Sequence, residues 1–96
     1  MSRMTIKDVE NLYKGKMYGD RFPERITKIV HSHFSDGRKI SILCSGKYMR
    51  DESCYHIEAV IDRASGKNLI EGRCRPAEDT TDIIDVAWEM LYEEDL

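Results

Sequence analysis

Between Glu24 and Arg75 apolar side chains recur at alternate positions, and the runs are separated by turn residues. That pattern restricts this part of the chain to short strands joined by tight connections, which pair antiparallel. Ile26, Val30 and Phe34 share one parity of a first strand, with Ile29 on the other, and Ser35-Asp36-Gly37 follows as a turn. Ile40, Ile42 and Cys44 alternate with Lys39, Ser41, Leu43 and Ser45 in a second strand. Ser45-Gly46-Lys47 then opens a longer connection running to Ser53. Tyr55, Ile57, Ala59 and Ile61 alternate with His56, Glu58, Val60 and Asp62, the clearest half-buried strand in the sequence. After Ala64-Ser65-Gly66, Ile70, Gly72 and Cys74 alternate with Leu69, Glu71, Arg73 and Arg75, and Pro76 closes the sheet.

Helical spacing brackets this region. Thr5 with Asp8 three residues later forms a box-like cap, Met4 and Val9 have hydrophobic-staple spacing, and Ile6, Val9 and Tyr13 share a face. A helix is expected over Ile6 to Lys14, ended by a left-handed Gly15. Gly15 to Pro23 reads as a loop whose Met17, Tyr18 and Phe22 fold back on the core. The same closing role is expected of Tyr48 and Met49. Asp79 or Thr80 caps a last helix in which Ile83, Ile84, Val86, Ala87, Trp88, Met90 and Leu91 form a broad apolar arc. Trp88 and Met90 are read as core. The expectation is therefore an α+β fold, one domain over residues 1–96. A four-stranded antiparallel meander carries both helices on one face, in the order α-β-β-β-β-α, and the other face is largely polar.

Charge is divided along the chain. The net charge is −3, but Glu78, Asp79, Asp82, Asp85, Glu89, Glu93, Glu94 and Asp95 follow Ala77 with no Lys or Arg among them. The remaining ten acids face all fifteen bases in residues 1–77, so a body with five positive charges in excess precedes a tail of eight negative ones. Asp82, Asp85, Glu89 and Glu93 fall on one stripe of the last helix. No cation sits four residues along to pair with them, and Glu93, Glu94 and Asp95 lie where the helix dipole favours cations. A solvated helix face accounts for such a stripe, and so does neutralisation of the chain's own basic body. The sharper reading presents it to a protein with a basic surface, such as a nucleic-acid-binding protein.

The competing reading uses the basic body, with Arg38, Lys39, Arg73 and Arg75 as nucleic-acid contacts. The element order is similar to that of double-stranded-RNA-binding domains, whose basic motif opens the last helix. Here that position is Glu78-Asp79-Thr80-Thr81-Asp82, so direct nucleic-acid binding ranks second. His31-x-His33 and Cys54-x-His56 offer four nitrogen and sulfur donors, but in a spacing that matches no zinc motif. Cys54 beside His56 is likewise a weak nucleophile signature. No phosphate-binding glycine loop, G-x-S-x-G or dinucleotide fingerprint is present, and no catalytic residue, metal or cofactor is assigned.

Cys44, Cys54 and Cys74 are an odd set without a C-x-x-C pair and are read as reduced. With no signal-peptide core and no apolar run of membrane-spanning length, a cytoplasmic location is expected. In size and charge style, the chain resembles small inhibitors and accessory proteins of phages and mobile elements, anti-CRISPR and other anti-defence proteins among them. Its strand-then-helix ending is similar to that of HicB-type antitoxins. That likeness implies a non-enzymatic protein-binding module, or an antitoxin-like regulator. An edge strand also leaves a homodimer open.

Overall fold

The computed structural model describes residues 3–46 and 54–94. Tyr48, Met49 and most of the connection beginning at Ser45 lie outside the described residues. Helix α1 (Ile6–Tyr13) starts at the expected capping box: Asp8 N–H donates to Thr5 Oγ1 at 3.1 Å and Thr5 N–H to Asp8 Oδ2 at 2.9 Å. It stops within a residue of the expected end, and Gly15 follows with the expected positive φ, although its N–H donates to Ile26 O at 2.9 Å and makes no capping bond to the helix. Lys14 is extended (φ −63°, ψ 124°), Gly15 has φ 75°, and Lys16 N–H donates to Tyr13 O. Those are the dihedrals of a type II turn, whose third residue needs positive φ.

That turn launches a hairpin where a loop was expected. Strand β1 (Met17–Tyr18) pairs antiparallel with β2 (Glu24–Arg25). Its connection carries Phe22 outward at 81% exposure, and Met17 is 54% exposed, so neither closes the core. Tyr18 does fold back, against the cluster beneath α1.

The main sheet is built from β3 (Lys28–His33), β4 (Lys39–Gly46) and β5 (Tyr55–Asp62), each antiparallel to the next. The fourth position of the meander is split. Strand β6 (Lys67–Asn68) pairs with one end of β5 and β7 (Arg75–Ala77) with the other. Between them, residues 69–74 depart from regular pairing, with Leu69 N–H still donating to Val60 O at 2.8 Å and Gly72 at φ 83°. The Asn68 side chain bridges the break, its Oδ1 accepting from Val60 N–H and Ile70 N–H, both at 3.1 Å. Pro76 lies inside β7 instead of ending the sheet, a position an edge strand tolerates.

Helix α2 (Thr80–Glu94) is capped by Asp79, whose Oδ1 accepts from Asp82 N–H at 2.9 Å. Asp82 returns its carboxylate to Glu78 N–H at 2.8 Å. Ile83, Ala87, Met90 and Leu91 bury against Val30, Ile40, Ile42, Cys44, Ile57 and Val60 on one face of the sheet.

The α+β class holds, but the helices do not share a face. Val9 of α1 packs with Ile26, Leu43, Ala59 and Ile61 in a second cluster. Leu43 lies between Ile42 and Cys44 in one strand, so its side chain points to the opposite side. That side therefore carries a buried apolar cluster, where a largely polar face was expected.

A β-bulge reconciles this with the alternation in β5. The register steps from Leu43↔Ala59 to Cys44↔Ile57, which leaves Glu58 as the extra residue. Ile57 thus faces α2 while Ala59 and Ile61 face α1, although all three have the same parity in the sequence.

Candidate binding surfaces

At about 100° per residue, Asp85 points opposite the buried arc of α2, with Tyr92 and Trp88 on one side of it and Glu89 and Glu93 on the other. The four carboxylates expected to form a stripe are separated by their local partners. Asp82 is part of the N-cap. Glu93 Oε2 lies 3.0 Å from Arg75 Nη1, Glu93 Oε1 3.6 Å from Arg73 Nη1, and Glu89 Oε1 3.5 Å from Arg75 Nη2. The Arg73 guanidinium also donates to the carbonyl of Met90. A cation thus meets the negative end of α2 after all, supplied by the chain just before β7. Asp85 makes no ion pair among the described residues.

The same ion pairs divide the alternative set of cations. Arg73 and Arg75 sit against α2, while Arg38 and Lys39 lie at the far end of β4. Arg38 binds Asp36 through Nη2 at 2.7 Å and Nε at 2.8 Å, and these bonds hold the Asp36 carboxyl below its ordinary range.

Beside Asp85 the helix is aromatic. Trp88, read as core, is 37% exposed and meets the buried Phe34 ring edge-on at 4.9 Å. Tyr92, one turn on, is 63% exposed. Trp88, Asp85 and Glu89 border a groove of about 360 Å³ that continues over Ile84 to His33, Phe34 and Ser35 on the sheet side. Residue types at positions 85, 88, 89 and 92 carry this signal, but the acidic stripe centred on Glu89 obscured it in the sequence.

The candidate metal and nucleophile residues do not converge. His31 pairs across the ladder with Ser41 and His56 with Ser45, about 13 Å apart along β4 at strand rise. No group of three or more metal-ligating side chains occurs among the described residues. Burial pushes the Cys44 thiol up to about 12. Burial first, then the adjacent Glu58, pushes Cys74 up to about 11, and its thiol donates to Glu58 Oε2 at 3.7 Å. Neither is an activated nucleophile.

One constellation was missed in the sequence. His31 Nε2 lies 2.6 Å from Glu10 Oε2, and His31 Nδ1 lies 2.8 Å from Ser41 Oγ. The order of groups is that of an acid–imidazole–hydroxyl relay. Ser41, however, is fully buried, so a substrate carbonyl has no approach to its oxygen. The three side chains instead pin α1 to β3 and β4, and the 21-residue separation of Glu10 and His31 hid the pair.

No helix among the described residues is long and apolar enough to cross a membrane. No family model matches the chain, and no curated protein or solved structure matches it either.

Proposed function

We propose that this protein is a non-enzymatic binding module that engages a basic protein surface through the exposed face of α2. The observation that carries the reading is the run Asp85, Trp88, Glu89 and Tyr92. Two partly exposed aromatic rings sit one turn apart, flanked by a carboxylate with no ion-pair partner among the described residues and by one held only at 3.5 Å. Trp and Tyr are the side chains most enriched among residues that dominate binding energy, and flanking charge steers and orients the encounter. Such a surface suits a small inhibitor or accessory protein, including one of anti-defence style, whose target carries a cationic nucleic-acid-binding surface. Of the four carboxylates expected at the interface, Asp85 and Glu89 lie on this face. Asp82 serves the cap and Glu93 is engaged by Arg73 and Arg75.

The test is calorimetric titration of the isolated partner with single variants. Tyr92→Ala should weaken binding by about 2 kcal/mol or more. Asp85→Asn with Glu89→Gln should flatten the salt dependence without changing the fold. Full affinity in both variants would remove the proposal.

A further inference from the structure

Three segments far apart in sequence converge at the other end of the sheet. Met4 N–H donates to Arg63 O at 2.7 Å, and Arg63 N–H donates to Lys39 O at 3.0 Å. These bonds hold the stretch entering α1 beside the β3–β4 turn and the end of β5. Between them lies a groove of about 710 Å³ bordered by residues 3–6, 36–39 and 62–64. Its volume falls within the range of small-molecule sites.

Four cations, Arg3, Arg38, Lys39 and Arg63, line this groove with two carboxylates, Asp36 and Asp62. Both carboxylates have local work. Asp36 takes the Arg38 guanidinium, and Asp62 Oδ1 accepts from Ala64 N–H at 3.0 Å. Arg3, Lys39 and Arg63 make no ion pair among the described residues. Arg63 is the most incomplete of them. Its Nη2 reaches only Ser32 O at 3.4 Å, and its Nε is buried without a hydrogen-bond partner. The Nε is closed to solvent, so a ligand in the groove meets the Nη edge of the guanidinium, which has no ion pair among the described residues and suits a multidentate anion. Met4, Ile6 and Ala64 give the same groove an apolar wall, and Ile6 is 48% exposed there.

We infer that this groove binds a nucleoside phosphate, with the phosphate among Arg3, Lys39 and Arg63 and the nucleoside against Met4, Ile6 and Ala64. The phosphate is supplied by a free nucleotide or by a nucleic-acid chain. The site is separate from the α2 face and does not depend on that reading.

The test is a titration of isotope-labelled full-length protein followed by amide NMR, with ADP, pyrophosphate, adenosine and a short single-stranded oligonucleotide as probes. ADP should shift the Ile6, Lys39 and Ala64 amides saturably and bind more tightly than pyrophosphate or adenosine. The double variant Arg3→Glu, Lys39→Glu should weaken ADP by at least about tenfold. Both side chains are exposed, so the α2 amides should keep their positions. If they move, Lys39→Gln replaces the pair and should still weaken ADP. An oligonucleotide that shifts the same amides more tightly than ADP, and loses this in the variant, identifies a nucleic-acid source. The proposal is overturned by an absence of saturable shifts at these amides, by shifts insensitive to the variants, or by pyrophosphate binding as tightly as ADP.

Discussion

Replacing Leu43 by Ala tests the placement of the helices on opposite faces. Leu43 is fully buried, and across the ladder it faces Ala59, a side chain too small to fill the space left behind. Val9, Ile26 and Ile61 complete the buried cluster, so α1 is seated largely on Leu43. Removing three carbons from such a site costs about 2.7–5 kcal/mol, lost transfer energy plus a residual cavity. Domains of this size are stable by about 5–15 kcal/mol, so the variant should still fold. Urea unfolding measures the effect: with a slope of about 1–3 kcal/mol/M, the midpoint should fall by about 1 M or more. Native-state hydrogen exchange supplies the location, since α1 amides should lose protection while α2 amides follow only the global change. Had both helices covered one face, Leu43 would point into a solvated surface, where substitutions stay within about 0.5 kcal/mol. A loss that small, or selective loss of protection in α2, would refute the two-sided core.

Other expectations follow from the same geometry. Glu10→Gln should destabilise the fold by about 1 kcal/mol at neutral pH, because the carboxylate acceptor of His31 is lost; thermal melts check this. Arg75→Gln should cost under about 1 kcal/mol, since its pairs with Glu89 and Glu93 are surface pairs, and less still in high salt. With its pKa raised to about 11, Cys74 should alkylate at pH 8 about a hundredfold more slowly than an ordinary thiol in a Cys54→Ser background, speeding up tenfold per pH unit below 11. Glu58→Ala should recover part of that deficit, because burial is the larger cause and stays in place.

The three long strands β3, β4 and β5, both helices and the capping box were legible because each depends on near neighbours in sequence. The bulge at Glu58 was not. It leaves sequence parity intact while reversing the face of Ile57 relative to Ala59, so the run Tyr55 to Ile61 resembled one face of a strand. Leu43 was accordingly assigned to a polar side, and with it went the seat of α1. The broken fourth strand shows the same limit: the alternation from Ile70 to Cys74 reads as one strand, whereas the break rests on the positive φ of Gly72 and on the Asn68 side chain reaching Val60 across it. At the site, the acidic stripe was identified from the absence of cations at i+4 along α2. The counter-charges come from Arg73 and Arg75, placed beside the helix by β7, and no helical spacing rule reaches them. Asp85 and the partly exposed Trp88 and Tyr92 became distinct only once those pairs were assigned.

The proposed function turns on binding through the face of α2 that bears Asp85, Trp88, Glu89 and Tyr92. Its most direct measurement is photo-cross-linking in an extract of the source cells, with a photoreactive phenylalanine at position 92 and, as control, at the exposed position of Glu71 on the 69–74 excursion. A discrete cross-linked product is expected from position 92, lost in high salt and lost when Asp85→Asn and Glu89→Gln are added, with none from position 71. A product from position 71 alone, or one from position 92 indifferent to salt and to both substitutions, would contradict it.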